Sequence, residues 1–139
     1  MRNTLVWIIV IAAVAYGSYW YMNRSSVYKE RSITVSLNQQ NNSGISGKAL
    51  LTGAGEQTIV KLDFTGAPKD VVQPAHIHAG SCAAIGGVKY PLTFPTNGAS
   101  NTTLNVSLDS LLKELPLAVN VHKSASEASV YVACGDIMP

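Results

Sequence analysis

Along much of the chain apolar and polar residues take turns. In Ser32-Ile33-Thr34-Val35-Ser36-Leu37-Asn38 the apolar side chains fall on every second position. Successive side chains of an extended strand point to opposite faces, so this segment has one apolar face and one wet face, and the apolar face must be buried against others of its kind. Residues 47–52 read as a second strand. Residues 58–64 read as a third, with Val60, Leu62 and Phe64 in phase and Ile59 out of it. Asn41-Asn42-Ser43-Gly44 and Gly53-Ala54-Gly55 supply the turns between them. Residues 65–72, with Pro68, form a loop, and 74–79 a further strand. From 80 to 98 the composition shifts to glycine, proline and small residues, which predicts a long loop. A strand is expected over 102–108 and a short helix over 109–115, capped by Ser107 or Asp109 and ended by Pro116. Strands over 117–121 and 129–133 complete the set, the last leading to Cys134. Short strands parted by turn signals predict an all-β fold, a sandwich or Greek-key barrel with one short helix.

The first 22 residues obey a different rule. From Leu5 to Met22 no charge interrupts a mostly apolar run, with Arg2 ahead of it and Arg24, Lys29 and Arg31 behind. A run of this length is expected to cross a bilayer, at about 18–20 residues per span. Tyr16, Tyr19, Trp20 and Tyr21 gather at its far end, where aromatic rings favour the membrane interface. The rival reading is a secretory signal peptide, because Ala13-Val14-Ala15 has the small-x-small form of a cleavage site. The chain therefore divides into an N-terminal anchor over 1–22, a polar linker over 23–30 and a β domain over 31–139. The net charge is only +2 and the lysines are scattered, so no basic stripe marks a nucleic-acid partner.

The chemistry is concentrated in Gln73-Pro74-Ala75-His76-Ile77-His78-Ala79-Gly80-Ser81-Cys82, which holds two of the three histidines and one of the two cysteines. On a strand, His76 and His78 share a face and Ile77 takes the other. The third histidine, His122, lies directly after the apolar run 117–121. Three neutral imidazoles suit copper or zinc, and the affinity order of divalent ions favours copper where it is available. Three protein ligands leave one position open for water, a substrate or a small anion. The bland alternative is three polar residues at a sheet edge. Cys82 and Cys134 have three readings: a disulfide that stabilises the fold by about 4 kcal/mol through loop closure, two buried thiols, or, for Cys82, a soft copper ligand four residues after His78. The disulfide is the expected one, and it places the domain outside the cytoplasm.

A nucleophilic site is not expected. His122-Lys123-Ser124 lacks an acid placed to orient the histidine. Asp63, Asp70, Asp109, Glu127 and Asp136 read as solvated or capping residues. Four N-x-S/T sequences, beginning at Asn23, Asn41, Asn101 and Asn105, matter only in a host that glycosylates exported proteins.

Taken in order, these segments resemble the copper/zinc superoxide dismutase-like superfamily and the related CHRD (chordin-type) domain. Ala75-His76-Ile77-His78 and the glycines after it are similar to the HxH strand of both, and the stretch from Gly86-Gly87-Val88 to Leu92 is similar to the segment after that strand in CHRD domains. Val119-Asn120-Val121-His122-Lys123 resembles the third-histidine segment, and Val132-Ala133-Cys134-Gly135 the cysteine-containing end of the dismutases. The resemblance spans residues 31–137. It implies that His76, His78 and His122 are copper ligands and that Cys82 pairs with Cys134. It also carries departures. Residues 83–100 hold neither histidine nor carboxylate, so the bridging histidine and the zinc ligands of those enzymes have no counterpart. The arginine that guides superoxide would fall at Tyr131. The expectation is a membrane-anchored, extracytoplasmic copper-binding protein with a mononuclear three-histidine site, acting as a carrier or buffer. A copper-only dismutase-like enzyme and a CHRD-like module that binds no metal are the alternatives.

Overall fold

The alternation read from the sequence is present as backbone. The computed structural model describes residues 2–22 and 31–139, and the linker expected over 23–30 lies outside them. After the helix α1 (Arg2–Met22) come β1 (Ser32–Gln39), β2 (Ser46–Ala54), β3 (Gln57–Thr65), β4 (Ala75–Ser81), β5 (Ala84–Pro91) and β6 (Ala99–Leu104). The short helix α2 (Leu108–Leu112), β7 (Leu117–His122) and β8 (Tyr131–Ile137) complete the chain. The eight strands form a single antiparallel sheet in the order β5-β4-β7-β8-β1-β2-β3-β6.

One face of that sheet supplies the core. Ile33, Val35 and Leu37 of β1 meet Ala49 and Leu51 of β2, Val60, Leu62 and Phe64 of β3, Ile77 of β4, and Val119 and Val121 of β7 in one cluster. Residues from opposite ends of the strand order share a cluster only if the sheet curls around it. The curl stops short of closure: β5 and β6 remain as two edges, so the expected barrel or sandwich is a half-barrel. At one end Leu108 and Leu111 of α2 plug the core. Ser107 caps this helix, its hydroxyl accepting from the Ser110 amide at 3.2 Å, which leaves Asp109 inside the first turn.

One sequence expectation needs correction. The long loop over 80–98 contains β5, which pairs with β4. Six of its eight residues are exposed, so it has no burial alternation to reveal it. Its glycines serve close approach: a side chain at Gly86 would press on the Ala79 carbonyl, and Gly80, at φ +90, turns the chain in a conformation that other residues seldom adopt. Over the expected anchor, residues 2–22 are helical, and among the described residues no helix is long and apolar enough to cross a membrane.

Candidate metal centre

Strand β4 lies between β5 and β7, and the period of two assigns its side chains. Ile77 is fully buried in the core, while His76 and His78 project from the opposite face. Across the β4–β7 ladder His76 pairs with Asn120 and His78 with Ala118; across β7–β8 Asn120 pairs with Cys134 and Ala118 with Asp136. Paired residues share a face, so His76, Asn120 and Cys134 form one row and His78, Ala118 and Asp136 the next. Every residue of β7 is buried, on both faces. The outer face of this part of the sheet is therefore covered as well.

Part of the cover is the disulfide. Cys82, just past the end of β4, is bonded to Cys134 of β8 with an S–S distance of 2.12 Å and Cα atoms 5.8 Å apart. The Cys82 amide also donates to Asp136 Oδ1 at 2.7 Å. The chain after β4 is thus folded back over β7. This pairing removes the readings of Cys82 as a copper ligand and of two free thiols. Cys134 lies within β8 rather than after the last strand.

The rest of the cover is the histidines themselves. A register shift between Val121 and His122 frees the end of β7 to lean, while the His122 amide stays tied to the Pro74 carbonyl at 2.8 Å. The ring centroids of His76 and His122 are 5.1 Å apart, of His76 and His78 5.5 Å, and of His78 and His122 5.8 Å. His122 lies four residues beyond Ala118, the partner of His78, which is about 13 Å along an extended strand. To come so close, the His78 and His122 rings lean toward each other over the row between them, the one that holds Asn120. Asn120, in that middle row beside His76, is 0 % exposed, with neither Oδ1 nor Nδ2 hydrogen-bonded.

Hydrogen bonds fix which nitrogen each ring offers. His78 Nδ1 lies 2.9 Å from the Gly86 carbonyl oxygen, and His122 Nδ1 contacts the Ala128 carbonyl oxygen. A carbonyl only accepts, so both Nδ1 atoms carry hydrogen and both Nε2 atoms present lone pairs. His122 Nε2 is 3.1 Å from His76 Nδ1. His78 Nε2 is buried with no partner. One ligand atom from each of the three residues lies within 4.8 Å of the others, close enough to hold a metal ion. With no ion bound, His76 Nδ1 donates its hydrogen to His122 Nε2; an ion would take both lone pairs and move that hydrogen to His76 Nε2.

Electrostatics favours neutral rings. Burial holds His76 below the usual histidine value, helped by His122 and then His78. Burial also lowers His122, opposed by its contact with the Ala128 carbonyl and reinforced by His78. Neutral imidazole is the metal-binding form. His76 is the most exposed of the three, and around them stand two more aromatic rings: Phe94 meets His76 edge-on at 5.8 Å, and Tyr131 meets His122 edge-on at 5.2 Å. No carboxylate joins this cluster among the described residues.

All three sequence-predicted histidines are thus brought together, and both cysteines. Missed were Asn120, Phe94 and the carbonyls of Gly86 and Ala128. Asn120 did leave a signal, as the one polar residue inside the apolar run 117–121. Compared with family models, with curated proteins and with solved structures, the chain matches none.

Proposed function

We propose that the chain is a copper-binding protein, holding one ion at His76, His78 and His122 as a carrier or buffer in an oxidising compartment outside the cytoplasm, with a domain related to the superoxide dismutase-like superfamily. The observation that carries this reading is His78 Nε2, a buried lone pair with no partner that faces two other imidazole nitrogens. Leaving such a group unpaired costs about 1–3 kcal/mol, and a bound ion removes that cost. Three imidazoles with no thiolate and no carboxylate favour copper over magnesium, calcium or manganese, and rank it above zinc. The carbonyls of Gly86 and Ala128 act as the outer partners that orient histidine ligands. The disulfide supports the oxidising compartment.

Copper titration of the purified chain, repeated with His76→Ala and His122→Ala, tests the reading. One equivalent is expected to bind tightly to the wild type and at least about 100-fold more weakly to each variant. Binding that both substitutions leave unchanged overturns it and favours a module whose histidines bind nothing.

A copper-only enzyme acting on superoxide is the second reading, favoured by the partial exposure of His76, which leaves the ion a side open to a small anion. Against it stands Tyr131, an uncharged ring where dismutases place a guiding arginine. Superoxide decay measured with the copper-loaded protein decides: a rate no greater than that of His78→Ala dismisses the enzyme.

A further inference from the structure

We propose that Asn120 is a fourth member of the metal centre, giving its Oδ1 to the ion and tilting the centre toward the divalent state of copper. The proposal rests on the reading of His76, His78 and His122 as ligands, and adds to it a residue and a selectivity that the histidines alone do not contain.

Position comes first. Asn120 is paired with His76 across β4–β7 and sits two residues before His122 on the same face of β7. The His78 and His122 rings, with centroids 5.8 Å apart, come from the rows on either side of it. A side chain in this row would be placed to give an oxygen to an ion that the three imidazoles hold. The exposed flank at His76 remains open for an exchangeable ligand.

Chemistry comes second. Asn120 is 0 % exposed, and both atoms of its carboxamide lack a hydrogen-bond partner. Its neighbours along β7 on the core face, Val119 and Val121, show that apolar side chains suit this strand. A buried amide with nothing to bond is retained at a cost in stability, so a valine or leucine would serve packing better. The unpaired Oδ1 therefore matches the unpaired His78 Nε2: both are donor atoms buried at one place with no protein partner. A carboxamide oxygen is a hard, neutral donor. It adds to the binding of a divalent ion, which takes four or more ligands, and adds little to cuprous copper, which soft or imidazole donors already satisfy.

The experiment uses the full chain, with Cu(II) and Cu(I) affinities measured by competition and the Cu(II) form examined by electron paramagnetic resonance. Two variants are compared with the wild type, Asn120→Leu and the isosteric Asn120→Asp. For Asn120→Leu the Cu(II) affinity is expected to fall by about tenfold or more while the Cu(I) affinity changes much less, with a shifted Cu(II) spectrum. For Asn120→Asp, whose oxygen carries charge, the Cu(II) affinity is expected to rise by about tenfold, again with a shifted spectrum. A general loss of packing would weaken both oxidation states together and would not strengthen either. Should the leucine variant fail to fold, the aspartate variant decides alone. Wild-type binding with both ratio and spectrum unaltered in the folded variants overturns the role of Asn120 and leaves the histidine site standing. A wild-type chain that binds neither Cu(II) nor Cu(I) removes the histidine site, and this proposal with it.

Discussion

The inner face of β4 and β7 is buried, their outer face is buried throughout β7 and at His78, and the two faces are covered for different reasons. Inside, Ile77, Val119 and Val121 pack among other aliphatic side chains and nothing is left unpaired. Outside, His76, His78, Asn120 and His122 lie among the disulfide and two aromatic rings, and of the five buried side-chain atoms without partners among the described residues three are there: His78 Nε2 and both ends of Asn120. Burial of apolar groups stabilises the fold directly. Burial of unpaired polar groups does the reverse. The contrast teaches that the inner face is shaped for stability, while the outer face gathers donor atoms close enough to hold a metal ion.

The contrast can be broken most forcefully through the disulfide that holds the outer cover in place. With its ends 52 positions apart in the sequence, replacing Cys82 and Cys134 by serine is expected to lower unfolding free energy by about 4 kcal/mol in denaturant titration, and to weaken metal binding because the chain no longer folds back over β7. On the inner face, Ile77→Ala is expected to cost about 3 kcal/mol by the same measurement, from lost transfer energy and the cavity left behind. Its metal affinity, measured on the folded fraction, should change far less.

On the outer face the expectation sharpens into an asymmetry. His78→Leu removes an unpaired buried nitrogen, so metal-free stability should stay within about 1 kcal/mol of wild type or rise, whereas metal binding is lost. A drop comparable to that of Ile77→Ala would show that the outer face is a second structural core. The smallest effect is that of pH on the metal-free protein. His76 and His122 have folded values lowered from 6.5. The folded state therefore takes up protons less readily than the unfolded one. Its stability is complete above pH 6.5, falls as pH drops from there through the lowered values, and levels off below them. Urea midpoints measured across that window in wild type and His122→Leu should differ in slope, with the flatter profile in the variant. Identical slopes would mean that burial does not hold His122 neutral.

Legibility in the sequence divides along the same line. Strands with one wet face and one apolar face, such as β1 and β3, announce themselves by period, and Thr58, Val60, Leu62 and Phe64 are buried in phase. The helix signal at Ser107 is local and legible for the same reason. β5 is not, because an edge strand with little buried surface has no apolar period to display. β6 ends at Leu104 and begins at Ala99, earlier than expected, since its pairing with β3 rather than its own composition sets its limits. The histidines are legible as residue types. Asn120 is not legible as part of the site, because only the register of β4 against β7 places it beside His76.

The strand order also bears on how the molecule is made. β8, the eighth strand in chain order, lies between β7 and β1, with Asn38 paired to Cys134 and Gln39 to Ala133. Without β8, β1-β2-β3-β6 and β5-β4-β7 would be two separate ladders, each with an unpaired edge where the other begins. The binding strands belong to one of these pieces and the first strand of the domain to the other. A chain lacking β8 would therefore have neither a finished core nor a covered histidine face, and its exposed edges would invite pairing with other chains. One segment thus joins the two halves of the sheet and brings Cys134 to Cys82.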